Sequence, residues 1–169
     1  KVSIVSDKPQ TTRTRVRGVH HTADGQIVFV DTPGIHKPIT ALGERVNATA
    51  LDSVNDVDVV CLLIDACKPF GRGDQWVADH IDIAKAFVIV NKTDKATREQ
   101  VIAQLHAVSS LGAAEYFPVS ARTGEGVPEL LAALKALMPE GPAYYPEDMV
   151  TDTEDAQWIA ELVREQLLA

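Results

Sequence analysis

Ala86-Phe87-Val88-Ile89-Val90, followed at once by Asn91-Lys92-Thr93-Asp94, decides how this chain is to be read. A short, wholly apolar and largely β-branched run bounded by polar residues reads as a strand buried on both faces. Such strands belong to parallel sheets, whose ligand-handling loops start where the strands end. The Asn-to-Asp stretch starts at such an end.

Working outward, the same pattern recurs. Residues 26–31 (Gln-Ile-Val-Phe-Val-Asp), 57–65 (Val-Asp-Val-Val-Cys-Leu-Leu-Ile-Asp) and 115–119 read as further strands, and a more polar segment at about 14–22 as an edge strand. Helical spacing falls between them, at about 42–54, 74–82, 97–109 and 127–137. In the last of these, Pro128 and Glu129 occupy the first turn, and Leu130, Leu131, Leu134 and Leu137 form the apolar stripe. Alternating strands and helices predict an α/β fold with a doubly wound, mostly parallel sheet.

Met138-Pro139-Glu140-Gly141-Pro142 ends that pattern, and Tyr144-Tyr145-Pro146-Glu147-Asp148 continues as an extended linker. Thr151 and Glu154 then have capping-box spacing ahead of a helix carrying Trp158, Ile159, Leu162, Val163 and Leu167. That helix reads as the first element of a second domain.

Composition narrows the class. With 169 residues, 46% of them hydrophobic, the chain can bury one domain core. A formal net charge of −8 argues against a broad surface for non-specific nucleic-acid binding. No apolar stretch is long enough to span a bilayer, and no signal peptide opens the chain. Cys61 and Cys67 lack C-x-x-C spacing and read as reduced structural thiols of a cytosolic protein.

Three strand-end loops carry chemistry. In Asn91-Lys92-Thr93-Asp94, the Asn amide can hydrogen-bond the base edge and brace neighbouring loops. The Asp carboxylate can accept parallel hydrogen bonds from N1–H and the 2-amino group of guanine, neither of which adenine presents. Asp31-Thr32-Pro33-Gly34 places a carboxylate where it can hold Mg²⁺, usually through water, and a Gly where the backbone can approach a γ-phosphate. Ser120-Ala121 follows the next strand, where the Ala121 N–H can reach guanine O6. Upstream, Pro9-Gln10-Thr11-Thr12-Arg13 offers Thr hydroxyls to complete a Mg²⁺ shell. Alone, each segment also reads as an ordinary turn or polar loop; their order along the chain favours the chemical reading.

These residues resemble the translation-factor-like P-loop GTPases and, within them, the Era family. The segments K-V-S-I-V-S-D-K-P-Q-T-T-R, D-T-P-G-I-H-K-P and P-E-G-P-A-Y-Y-P-E-D-M-V-T-D look specifically Era-like, and the resemblance covers nearly the whole chain. It implies a G domain over 1–138, a linker over 139–152, and at 153–169 the first helix of a KH-like RNA-binding domain. It makes Thr12 the first Mg²⁺ candidate and Thr11 the second, with Asp31, Thr32, Pro33 and Gly34 serving metal and γ-phosphate. Asn91, Lys92, Asp94, Ser120 and Ala121 serve the base, with the Lys92 stem packed over the ring. GTP or GDP and Mg²⁺ are the implied ligands, hydrolysis of GTP to GDP and phosphate the implied reaction, and 16S rRNA of the small ribosomal subunit the implied partner. The cytoplasm is the implied location; peripheral membrane association and oligomeric state stay open. Der-like and MnmE-like GTPases, and a non-catalytic nucleotide-binding scaffold, are the rival readings.

Two departures matter. The chain holds no G-x-x-x-x-G-K-S/T phosphate loop, which in the family lies just N-terminal to Lys1. A sheet lacking that first strand would expose apolar surface, so the expectation is a longer polypeptide. The terse Ile81–Lys85 connection suggests dropped residues as well. Second, Ile35 follows D-T-P-G where Ras-like enzymes place a water-orienting Gln. No catalytic residue is therefore assigned; His36 is a weak candidate base.

Overall fold

The computed structural model describes residues 2–6, 11–12, 14–34, 54 and 56–168. The helix expected at 42–54, except for Val54, and Pro9, Gln10, Arg13, Ile35 and His36 lie outside them. The chain divides into two compact units, Lys1–Ser53 with Glu140–Ala169, and Val54–Pro139.

The second unit is built on a parallel sheet. Strands β3 (Cys61–Asp65), β4 (Phe87–Asn91) and β5 (Glu115–Pro118) lie side by side in chain order. Leu62 pairs with Val88, Ile64 with Val90, and Asp65 with Asn91, so the two strand ends are level. β4 is central, and its residues from Phe87 to Val90 are all buried, as an uninterrupted apolar run requires. Val88 and Val90 share a core with Leu62, Ile64, Val108 and Ala78, while the Phe87 and Phe117 rings meet at 5.3 Å. The strand expected from residue 57 starts only at Cys61, because β4 begins at Phe87 and gives the earlier residues little to pair with; a single bond from Phe87 N–H to the Val60 carbonyl precedes it.

Helix α1 (Arg72–Ala78) begins and ends earlier than the apolar spacing predicts. Asp74 accepts the Gly71 N–H at 2.8 Å and starts it. A short 3₁₀ turn, Ile83–Lys85, makes the connection to β4. Helix α2 (Arg98–Ser109) opens with a capping box: Gln100 N–H donates to the Thr97 hydroxyl, and Thr97 N–H to the Gln100 side chain at 2.8 Å. Helix α3 (Val127–Leu137) has Pro128 in its first turn, as its sequence predicts.

The first unit holds the antiparallel hairpin of β1 (Val16–Thr22) and β2 (Gly25–Asp31), paired from Val16↔Asp31 to Thr22↔Gly25. The stretch read as an extended linker is docked on this hairpin. Gln26 accepts the N–H groups of Tyr144 and Tyr145 and donates to the Tyr145 carbonyl. Val19 N–H donates to Val150 O at 2.9 Å, and Arg17 pairs with Asp152. Helix α4 (Asp155–Leu168) follows and has no buried residue; Ile159, Val163 and Leu167 are exposed. Thr151 does not cap it. Its hydroxyl donates to the Arg17 carbonyl at 2.8 Å, which draws it to the hairpin, and the first helical bond runs from Trp158 N–H to Glu154 O.

Candidate functional site

In the unit Val54–Pro139, the loop that follows β4 and the loop that follows β5 are bonded to each other. Asn91 Oδ1 accepts two backbone N–H groups, from Lys92 at 2.7 Å and from Ala121 at 3.0 Å. Thr93 N–H donates to the Val119 carbonyl, and Ser120 Oγ donates to Asp94 Oδ1 at 2.8 Å. Asn91 thus braces the two loops through its Oδ1. The Ala121 N–H, expected to face guanine O6, is engaged by Asn91 instead, because the amide oxygen lies level with it across the two loops.

Ser120 is fully buried, and its hydroxyl accepts the Thr123 N–H at 3.1 Å while donating to Asp94. Asp94 is exposed; among the described residues its second oxygen has no partner, and Oδ1 keeps a lone pair beside the Ser120 bond, so the carboxylate can accept a donor pair. The turn behind this wall depends on Gly126, which caps α3 with φ 74°. A Cβ there would lie 2.3 Å from the Pro118 carbonyl oxygen.

Lys92 has left-handed backbone, φ 72°, the one such non-glycine residue among the described residues. That conformation costs about 1 kcal/mol or more and persists where its surroundings hold it. Its ammonium pairs with Asp65 Oδ2 at 2.8 Å. Asp65 Oδ1 accepts the Cys67 N–H at 2.9 Å. Partial burial alone would raise the Asp65 carboxyl, but the Lys92 and Cys67 hydrogen bonds and the charges of Lys92 and Lys68 outweigh it and hold it below the ordinary carboxylate value. A lowered carboxyl stabilises the fold above its unfolded value of about 3.9, and this contribution is lost as pH falls through the lowered one. Asp65→Asn is therefore expected to flatten the acid side of the stability profile, measured by urea unfolding between neutral and acid pH. An unchanged profile would contradict that.

Sequence reading assigned no role to Asp65 or Gln104. Gln104 is 4% exposed and satisfies one loop from beneath: it donates to the carbonyls of Asp65 and Lys68 and accepts the Phe70 N–H at 3.0 Å. A polar residue inside the Val101, Leu105, Val108 stripe was the available signal. Cys61 and Cys67 are both free thiols, and burial pushes the Cys61 thiol up to about 11, so it stays protonated.

In the other unit, Asp31 ends β2 and its Oδ2 accepts the hydroxyls of Thr12 at 3.1 Å and Ser3 at 2.9 Å. The two leading Mg²⁺ candidates are thus brought together, and a carboxylate with a hydroxyl oxygen suits that hard cation. Thr11 is held through its carbonyl by the Arg164 guanidinium of α4, which also pairs with Glu161. Pro33 is buried, and Gly34 is exposed with open space where a Cβ would stand. Among the described residues no helix is long and apolar enough to cross a membrane.

Comparison with known proteins agrees with this layout. Residues 1–106 match the family described as 50S ribosome-binding GTPase. The chain is 46% identical to GTPase Era of Mycobacterium tuberculosis (strain ATCC 25618 / H37Rv), over 99% of this chain and 58% of that protein. It is 42% identical to GTPase Era of Corynebacterium diphtheriae, over 100% of this chain and 57% of that protein. It also superposes, with a TM-score of 0.90 and 34% identity, on a crystal structure of Era in complex with MgGDPNP and nucleotides 1506–1542 of 16S ribosomal RNA, over 98% of this chain and 58% of that one. The chain thus spans somewhat over half the length of these relatives. Its mixed α/β architecture is that of the P-loop GTPase G domain. With that match over most of its length, the chain belongs to the 50S ribosome-binding GTPase family.

Proposed function

We propose that this chain supplies the guanine-nucleotide-binding part of an Era-like switch protein that hydrolyses GTP to GDP and phosphate in the cytoplasm, and that its nucleotide state governs attachment to 16S rRNA during small-subunit maturation. The observation that carries the reading is the cross-braced pair of loops, in which Asn91 binds the Ala121 N–H and Ser120 holds one oxygen of Asp94. That arrangement leaves a rigid carboxylate edge to accept N1–H and the 2-amino group of guanine. The aliphatic stem of Lys92 covers the ring.

Thr12 and Asp31 would hold Mg²⁺, the Asp through water, and the ion would neutralise charge on the transferred phosphoryl group. Gly34 admits the γ-phosphate to the backbone. The chain's own side chains bind and orient, so turnover by in-line attack of water rests mainly on positioning and on stabilisation of charge. Residues 1–138 are the G domain in this reading, 139–152 the docked connection, and 153–169 the first helix of a KH-like RNA-binding domain. The solved Era complex with 16S rRNA supports the partner.

In the full-length protein, GTP turnover should need Mg²⁺ and stop with a chelator. An RNA from the 3′ region of 16S rRNA should bind more tightly with a non-hydrolysable GTP analogue than with GDP. Equal RNA binding in both states would contradict the switch, and ATP turnover matching that of GTP would contradict the enzyme.

A further inference from the structure

We propose that Asp65 is a positioning residue for nucleotide binding. From the neighbouring strand end it holds the Lys92 ammonium, and Gln104 fixes its loop from the buried side. The proposal deepens the guanine-nucleotide reading above and rests on it. A lysine side chain carries about 2 kcal/mol of rotamer entropy, so an untethered Lys92 would lose much of its freedom on covering a base. Here that freedom is already restricted. The parallel register sets Asp65 level with Asn91, and the Lys92 ammonium meets its carboxylate at 2.8 Å. The other carboxylate oxygen is fixed by the Cys67 N–H. Ala66 N–H further ties this loop to the Asn91 carbonyl at 2.8 Å.

Gln104 shows that the loop's position is specified. A buried amide is favourable only when its donors and acceptor are used. Among the described residues, the side-chain bonds of Gln104 go to one short loop: the carbonyls of Asp65 and Lys68, and the N–H of Phe70. An apolar residue would serve the α2 core equally well and would leave those groups unsatisfied. The chain of contacts runs from α2 through Gln104 to the Asp65 backbone, and from the Asp65 carboxylate to Lys92.

Displacement of a fluorescent GDP analogue from the full-length protein tests this. Asp65→Asn should weaken GDP about fivefold, the effect of losing a half-exposed ion pair. The loss should fall on KM, with kcat at saturating GTP within about twofold. Asp65→Glu should recover part of it. In a double-mutant cycle, Asp65→Asn should cost nothing further once Lys92→Met is present. A purely structural role would make the losses additive. Unchanged GDP affinity in Asp65→Asn, or an additive cycle, overturns the proposal. Should Asp65→Asn fail to fold, Gln104→Met, of similar volume, decides: it is expected to weaken GDP, and an unchanged affinity overturns the positioning role. A wild-type protein that binds GDP no better than ADP would remove the nucleotide reading itself. A guanine-selective wild type with an unaltered Asp65→Asn variant would remove the positioning role alone.

Discussion

Asp94→Asn is expected to lower affinity for GTP by about a hundredfold and to create affinity for xanthosine triphosphate. The hydrogen-bond polarity around Ser120 determines why. Its hydroxyl accepts the Thr123 N–H at 3.1 Å, and its own proton points to Asp94 Oδ1 at 2.8 Å. An asparagine at this position must therefore turn its carbonyl to Ser120 and its NH₂ to the base. There the NH₂ would face the donors of guanine, setting donor against donor and losing the bonds to a charged acceptor, at a cost of about 3 kcal/mol. Xanthine carries a carbonyl in place of the 2-amino group, and the turned amide can donate to it. Calorimetric titration of both nucleotides checks the outcome. Unchanged GTP binding would mean that Asp94 does not face the base.

Gly126→Ala should destabilise the fold by about 3 kcal/mol or more, summing a left-handed penalty of about 1–2 kcal/mol with an overpacking cost of similar size. The position has φ 74°, and the added Cβ would sit 2.3 Å from the Pro118 carbonyl oxygen and 3.3 Å from Val119 Cα. Both atoms are backbone, so no side chain can swing aside. Denaturant unfolding measures the loss; a change below about 1 kcal/mol would contradict this account of the turn. Because Pro118 and Val119 lead directly into Ser120, weaker GDP binding should accompany the lost stability.

Much of this was legible in the sequence, for reasons that differ by residue. Phe87–Val90 announced a strand because burial on both faces leaves no polar position in the run; its central place appears only in the sheet. The helix expected at about 97–109 appears at Arg98–Ser109, because the capping box that starts it, Thr97 with Gln100, is a local arrangement complete within four residues. Thr151 shows the opposite case. Its spacing to Glu154 was also that of a capping box, yet a carbonyl 134 positions away, that of Arg17, takes the hydroxyl. Local rules fail where a distant partner competes. Asp65 and Gln104 went unassigned for the same reason, since their roles arise only when β3 stands beside β4 and α2 closes beneath the loop. Asn91, Asp94, Ser120 and Ala121 were legible as a group because each follows a strand. Which donor meets which acceptor was not, and the Ala121 N–H went to Asn91 instead of facing outward.

The loop from Asn91 to Asp94 is expected to read guanine through its 2-amino group. The direct measurement is a calorimetric comparison of GDP with inosine diphosphate, which lacks only that group, on the full-length protein. GDP is expected to bind at least about tenfold more tightly, the worth of one hydrogen bond to a carboxylate. Equal affinity for the two would contradict it.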